Sequence, residues 1–274
     1  MLIKTKHFLT MLVVAGISAA ALPSHAATTY VAGDLLLGFR ATGNTGSTSN
    51  LIVDLGLATG YRDATSNIAS VVDIGSLLIS TYGSDWATRS DLSWGIVGAR
   101  TNSTISAAVG GDPARTDYLS AAQTTISPGT QQSTAWVVSG QGRTDTTADI
   151  LGLGVAYAAA PGTNSSILNS TDAGSWSTNN SGSDSFRLGG TIEGNFANGA
   201  SGTALDLYRV LNTNTGANPT GTVGVGSYEG TFTISSAGVV GFAAAEAVPE
   251  PSRAILAAIG LGGLLLRRRR SVKA

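Results

Sequence analysis

The sequence predicts a mainly β protein, and three features of residues 27–242 lead to that prediction. Short apolar runs rich in valine, isoleucine, leucine and aromatic residues alternate with connections rich in glycine, asparagine, serine and threonine. The 274-residue chain contains 36 glycines, which suits a fold with many turns. The apolar runs do not recur at a fixed solenoid period. We therefore expect a β-sandwich or jelly-roll-like body with one or two short helices.

The first part of this region begins with two predicted strands. Residues 30–40 and 51–55 are apolar runs joined by a turn-forming stretch, which is typical of an antiparallel pair. Apolar residues in 68–79 recur at helical spacing, so a short helix is expected there, ending at Tyr82-Gly83. Residues 92–97 then predict a return to a strand.

The second part of the region is divided into shorter pieces by glycine and polar residues. Apolar runs at 118–120, 135–138 and 150–155 indicate further short strands. Residues 163–182 are dense in asparagine, serine, threonine and glycine, and this composition predicts a surface loop that can include one helical turn. Later stretches favour strands at 186–196, 205–210, 228–234 and 239–242, followed by a linker over 243–247.

The composition of residues 27–247 excludes several kinds of chemistry. This region has no cysteine, histidine or lysine, and its 16 carboxylates face 8 arginines, giving a formal charge of −8. A Ser-His-Asp triad, a cysteine nucleophile, a lysine Schiff base and a His/Cys zinc site therefore lack their parts. An acidic, lysine-free domain is also unsuited to neutralising the phosphates of nucleic acid. We expect no catalytic residue, cofactor or metal.

Carboxylate chemistry is what the composition leaves open. A glycosidase needs two carboxylates flanking the scissile bond, and Glu193 and Glu229 are candidates that the sequence alone does not bring together. Oxygen ligands could also hold calcium, but no aspartate lies in an EF-hand pattern. We interpret the candidate aspartates as turn residues that bind local backbone amides; they are Asp112, Asp117, Asp145 and Asp149.

Four tryptophans could stack on sugar rings: Trp86, Trp94, Trp136 and Trp176. Trp86 and Trp94 lie in mixed segments and are predicted to pack in the core. Trp176 lies among glycine, serine, threonine and asparagine residues, so we expect it to be exposed. It is the ligand-binding candidate that the sequence favours.

The first 26 residues have the pattern of a secretory signal peptide. Lys4 and Lys6 precede an apolar run over 8–22, and Ser24-His25-Ala26 supplies small residues before a cleavage site. We expect a signal helix that directs the chain to the Sec export machinery. Cleavage is expected between Ala26 and Ala27.

The last 27 residues have three parts in a fixed order. Pro249-Glu250-Pro251 should be extended, because proline lacks the N–H donor that a helix interior needs. Residues 254–266 form an uncharged run that predicts a transmembrane-type helix, although about 20 apolar residues are needed to span a bilayer comfortably. A basic cluster marks the cytoplasmic side; it consists of Arg267, Arg268, Arg269 and Arg270.

The order VPEPS, apolar run and RRRR over residues 248–274 resembles the PEP-CTERM sorting tail of Gram-negative bacteria. The resemblance implies recognition near Pro249-Glu250-Pro251 by an exosortase-type membrane protease, with membrane anchoring that is transient or permanent. It also implies delivery to the cell envelope, the surface or the extracellular matrix, where exopolysaccharide is the expected partner. The segments GDLLLGFRATG (33–43) and DLSWGIVG (91–98) resemble a soluble region found upstream of some such tails, which implies a surface protein and assigns no catalytic residue.

The sequence thus predicts an exported envelope or matrix protein with a non-catalytic β-rich domain over residues 27–242. Two alternatives stay open. One is a surface protein that its tail anchors permanently. The other is a carbohydrate-binding protein or a carboxylate-dependent, carbohydrate-active enzyme.

Overall fold

The computed structural model describes residues 29–101, 111–138, 140–181, 184–211 and 224–246. The predicted signal peptide with its cleavage site at Ala26-Ala27 and the predicted sorting tail over 248–274 lie outside these residues. Within the described part of the chain, no helix has both the length and the apolar character that crossing a membrane requires.

One antiparallel sheet of ten strands, curled into a half-barrel, forms the body of the protein. This confirms the prediction of a mainly β fold. The strands of the described residues are β1 (Asp34–Ala41), β2 (Ser49–Leu57), β3 (Ile68–Asp73), β4 (Leu92–Ala99), β5 (Asp117–Ala122), β6 (Val137–Val138), β7 (Ser165–Asn169), β8 (Asn180–Ser181), β9 (Asp184–Ser185), β10 (Gly194–Asn195), β11 (Ala204–Val210), β12 (Gly224–Val225), β13 (Ser227–Ile234) and β14 (Val239–Ala244).

The strand order in the large sheet is β3-β14-β13-β11-β5-β4-β1-β2-β7, with β10 pairing on β4. The strands β6 and β12 form a separate short pair, as do β8 and β9. The predicted pairing of the first two strands is confirmed, with Leu37 opposite Val53.

The described residues contain four α-helices, more than the one or two that the sequence predicts. They are α1 (Ala58–Arg62), α2 (Gly75–Tyr82), α3 (Gly140–Ala159) and α4 (Trp176–Asn179). Two 3-10 helices are also present, at Trp86–Thr88 and Phe196–Thr203.

Both faces of the sheet are covered, as the alternation of side chains along β1 shows. Leu35 and Leu37 belong to one apolar cluster, in which Phe232 and Phe242 pack with ring centroids 4.7 Å apart. Leu36 points to the other face and belongs to a second cluster with residues of α3. A strand buried on both faces can be apolar at every position. The prediction of two packed sheets is wrong in this respect, because a helix takes the place of a second sheet.

The stretch 68–79 divides into a strand and a helix, so the prediction of one helix is wrong for its first half. The β-branched residues Val71 and Val72 pack against the first apolar cluster while the β3 backbone pairs with β14. The Asp73 carboxylate then accepts a hydrogen bond from the Gly75 amide at 3.1 Å and ends the strand. The helix α2 follows and stops before Gly83, as predicted.

The predicted strand at 150–155 is also wrong, because these residues lie inside α3. The buried side chains Arg143, Ile150, Leu153 and Tyr157 recur at three- and four-residue multiples, which is the helical period. Glycines at 152 and 154 interrupt this pattern and make the local run look like a strand.

The polar stretch 163–182 includes the helical turn that the sequence allows, but it holds more regular structure than a surface loop. It contributes β7, which extends the sheet beside β2, and the short helix α4. The predicted strand at 186–196 is wrong except for Gly194–Asn195, since Phe186 and Arg187 have positive φ angles and form a turn. The last strand, β14, reaches Ala244, two residues into the predicted linker.

Candidate ligand-binding site

A pocket of about 510 Å³ lies beside a split in the large sheet. On the side away from β1, β4 pairs with two strands: β10 at Ser93–Trp94 and β5 at Val97–Ala99. The split lies between these two strands. The Ser120 hydroxyl bridges the gap: it accepts a hydrogen bond from the Ile96 amide at 2.8 Å and donates one to the Ile192 carbonyl at 2.7 Å. The Ile96 amide and the Ile192 carbonyl at the split therefore both have hydrogen-bond partners.

The pocket is lined by apolar side chains with a few polar groups among them. Its apolar residues are Ala121, Ala122, Ala135, Trp136 and Val137. Its polar residues are Thr124, Ser133, Thr134, Thr191 and Glu193. This size and this mixture are typical of small-molecule sites, where apolar surface supplies affinity and a few polar groups fix orientation.

Trp136 is the aromatic side chain of this pocket. Its indole N–H donates to the Ser120 carbonyl at 2.9 Å, and Gly190 lies against the edge of its ring. The ring is half-buried, whereas Trp86, Trp94 and Trp176 are 2%, 0% and 0% exposed. Trp136 is therefore the tryptophan that can meet a ligand, and nothing in its local sequence sets it apart from the other three.

Trp176 is fully buried, so the prediction that it is exposed is wrong. Its indole fills a slot between Gly38 and Gly95, which face each other in the pairing of β1 with β4. A Cβ atom on Gly38 would lie 1.9 Å from the indole Cε3 atom. The small polar residues around Trp176 instead form the turn of α4, which the Ser175 hydroxyl caps. The predicted packing of Trp86 and Trp94 in the core is confirmed.

Glu193 links the pocket to this buried tryptophan. Its Oε1 atom accepts hydrogen bonds from Arg40 Nε at 2.7 Å and from Trp176 Nε1 at 2.8 Å. Its Oε2 atom accepts one from the second Arg40 donor, at 2.7 Å. Two residues that the sequence singled out for sugar chemistry, Trp176 and Glu193, are thus in contact, but with each other. Glu229 lies on β13, accepts a hydrogen bond from Ser227 and does not line the pocket.

The candidate calcium aspartates are engaged within the protein. Arg62 and Arg209 both bind Oδ1 of Asp112, at 2.8 and 2.6 Å. Asp117 is buried, and burial raises its pKa well above its usual range. Asp145 and Asp149 both lie on α3, and Asp149 pairs with an arginine at 3.0 Å. In the described ranges, no three acidic or histidine side chains come together as a metal site.

The buried Asp206 on β11 fixes the loop that carries one side of the pocket. Its Oδ2 atom accepts hydrogen bonds from the backbone amides of Gln132 at 2.8 Å and Ser133 at 2.7 Å. Its Oδ1 atom accepts one from the Gln123 side chain at 2.6 Å. The residues that line this side of the pocket directly follow these two amides, so Asp206 sets the position of the pocket wall.

Replacing Asp206 with asparagine should loosen this wall. An amide offers an acceptor oxygen on one side only, so its NH2 group would face either the two backbone amides or the Gln123 side chain. We expect a loss of about 1–3 kcal/mol in the free energy of unfolding and faster amide hydrogen exchange at Gln132 and Ser133. Asp172→Asn, at an exposed aspartate, is the matched control. Unchanged exchange at both amides in Asp206→Asn would contradict the role given to Asp206.

Comparison with known proteins gives no family for this chain: no family model, curated protein or solved structure matches it.

Proposed function

We propose that the chain is an exported envelope or extracellular-matrix protein whose β-rich domain binds its partner rather than catalysing a reaction. In this proposal a signal helix over residues 1–26 engages the Sec machinery. A short transmembrane-type helix over 254–266 then holds the chain in the membrane until an exosortase-type protease acts. The observation that carries the proposal is the order of the tail: Pro249-Glu250-Pro251, an uncharged run and four arginines.

The position of the tail relative to the fold supports this arrangement. The last described amides are still attached to the domain, since Glu246 N–H donates to the Gly129 carbonyl at 3.0 Å. Two residues separate Glu246 from Pro249. The tail therefore begins where the domain ends, as expected for a sorting signal added to a complete domain.

The pocket supports binding rather than hydrolysis. A glycosidase needs two carboxylates about 5–9.5 Å apart, and the described lining of the pocket includes one, Glu193. Three N–H donors already bind that carboxylate. We therefore propose that the domain associates with exopolysaccharide without cleaving it.

Replacing Pro249, Glu250 and Pro251 with alanine tests the sorting function. The variant should be exported but remain uncut and attached to the membrane, because the apolar run and the arginines still stop transfer; each arginine costs about 2.5–3.5 kcal/mol to insert. Deleting residues 254–274 should release soluble protein. The measurement is the intact mass and the membrane fraction of protein recovered from the native host.

Two controls make this result specific. Glu246→Ala removes a neighbouring carboxylate and leaves the triplet intact, so it should be processed normally. The unaltered chain in a host without exosortase should behave like the alanine variant. Processing of the alanine variant to the normal mass would show that the triplet is an ordinary linker, and an intact tail on the normal surface form would favour permanent anchoring.

A further inference from the structure

We infer that the pocket around Trp136 binds a ring of a neutral glycan, with the indole as the stacking surface. This inference deepens the proposed function, on which it rests, by giving the exopolysaccharide a binding site and a charge class. Four observations lead to it: the indole is held in place, exposed threonines line the pocket, Glu193 has an unused acceptor position, and the described lining residues include no positive charge.

The indole of Trp136 is held in place before any ligand arrives. Its N–H is bonded to the Ser120 carbonyl, and Ser120 is itself fixed by two further hydrogen bonds across the split in the sheet. Gly190 supports the ring edge, where a Cβ atom would lie 3.1 Å from the indole. A preorganised aromatic surface loses little entropy on binding. The apolar C–H face of a sugar ring is a suitable partner for such a surface.

The rim supplies groups that suit hydroxyl-bearing ligands. The side chains of Thr124, Thr134 and Thr191 line the pocket and are exposed. A threonine hydroxyl can both donate and accept, as can the hydroxyls of a sugar. The Thr124 hydroxyl already donates to the Gln132 carbonyl at 3.0 Å, so it offers a ligand its acceptor positions. Hydrogen bonds between these threonines and the sugar hydroxyls would fix the orientation of the sugar ring on the indole.

Glu193 has room for one more donor. A carboxylate has about four acceptor positions; Oε1 accepts two hydrogen bonds and Oε2 accepts one. Glu193 lines the pocket with 5% of its side chain exposed, and in our inference the unused position on Oε2 would accept a sugar hydroxyl. Because Arg40 and Trp176 hold the carboxylate in place, this acceptor is also preorganised.

The charge of the pocket selects against acidic glycans. The ten described lining residues include one carboxylate and no lysine or arginine. The guanidinium of Arg40 is paired with both oxygens of Glu193 and neutralises that carboxylate. A uronate or a sulfate group would find no unpaired cation among these lining residues and would be repelled by the domain, whose formal charge is −8. A neutral ring meets no such repulsion.

The fluorescence of the protein offers a direct readout of this pocket. Of the four tryptophans, three are at most 2% exposed, so quenching by acrylamide should report mainly on Trp136. We would titrate the protein recovered from its host with dextran, mannan and galactomannan, and with dextran sulfate and alginate as acidic probes. Dextran and dextran sulfate form a matched pair that differs in charge.

We expect at least one neutral polymer to bind and to protect the quenchable emission, with no binding of the acidic polymers. Trp136→Ala should weaken this binding at least tenfold, whereas Trp136→Phe should keep part of it and lose the quenchable emission. Ala121→Leu fills the pocket without altering the indole and should also weaken binding at least tenfold. Ile79→Ala, at a 52% exposed residue on α2, is the control and should bind normally.

Binding of acidic polymers alone, binding that survives both Trp136→Ala and Ala121→Leu, or no binding to any of the five polymers would overturn the inference. Ala121→Leu decides the matter if Trp136→Ala fails to fold. Tail processing is scored separately in each case. Normal processing without glycan binding would reject this site and leave the sorting proposal intact. Glycan binding without processing would support this site and contradict the sorting proposal.

Discussion

Replacing Gly38 with alanine should lower the free energy of unfolding by about 3–5 kcal/mol. The new methyl group would lie 1.9 Å from Cε3 and 2.1 Å from Cδ2 of the Trp176 indole. Since real contacts are never this short, the indole must leave its slot, and its hydrogen bond to Glu193 would be lost with it. Such a loss is a large part of the 5–15 kcal/mol that typically stabilises a domain.

A double-mutant cycle shows whether the slot is the cause. Trp176→Ala should itself cost about 3–5 kcal/mol, but adding Gly38→Ala to it should cost less than about 1 kcal/mol, because the clash no longer exists. Gly60→Ala is the control: a Cβ atom there meets nothing within 4 Å, and Gly60 lies in α1. It should be neutral or slightly stabilising. Additive effects of Gly38→Ala and Trp176→Ala in chemical denaturation would refute this account.

Arg89→Ala should be similarly damaging, with an expected loss of about 3–5 kcal/mol. The Arg89 guanidinium is buried and donates to the carbonyls of Gly43, Thr45 and Tyr82 at 2.9, 2.7 and 2.6 Å. It also forms a two-pronged ion pair with Asp91, at 2.9 and 2.6 Å. Alanine would leave the carbonyls and the carboxylate without these donors. Lysine cannot form the two-pronged ion pair with Asp91, so Arg89→Lys should recover only part of the lost free energy of unfolding.

The same ion pair predicts a pH dependence. Arg89 holds the pKa of Asp91 down, from an ordinary value of 3.8 to about 2. The pair therefore contributes its full stability above about pH 4 and loses it as the pH falls through about 2. The difference in unfolding free energy between the unaltered protein and Arg89→Ala should narrow over that range. Arg187→Ala, at an arginine whose side chain is 63% exposed, should cost less than about 1 kcal/mol at any of these pH values. A difference that stays constant from pH 4 to 2 would argue against the Asp91 pair.

Local sequence predicted the elements whose stabilising contacts are close in the chain. The pairing of β1 with β2 follows from two apolar runs and the turn residues between them. The strands predicted at 205–210 and 228–234 are confirmed. The alternation suggests half-buried strands, but β11 is buried on both faces, since Asp206 is as buried as Leu205 and Leu207. The helix α3 could have been found too, because Ile150, Leu153 and Tyr157 show its period despite two glycines.

The candidate site could not be predicted in the same way, because distant segments build it. The slot for Trp176 needs Gly38 on β1 and Gly95 on β4, and neither glycine is informative until the two strands are paired. Likewise, Trp136 lines a pocket only after β4 has paired with both β10 and β5, which creates the split in the sheet. The polar residues next to Trp176 in the sequence favour an exposed position for it. Burying the large apolar surface of the indole stabilises the fold more, so the side chain is buried.

The place of β3 in the sheet has a consequence for how the protein reaches its folded state. This strand pairs with β14, so an early segment of the chain forms its ladder with the last strand of the domain. Non-local pairing of this kind slows folding. If the chain is exported from its N-terminus, as we propose, β3 would cross the membrane long before β14, and the backbone edge of β3 that pairs with β14 would stay unpaired until Ala244 had followed. During that interval β3 would be open to pairing with strands of other chains. A tail that pauses the chain just after β14 would allow this last ladder to close while each molecule is still tethered apart from its neighbours.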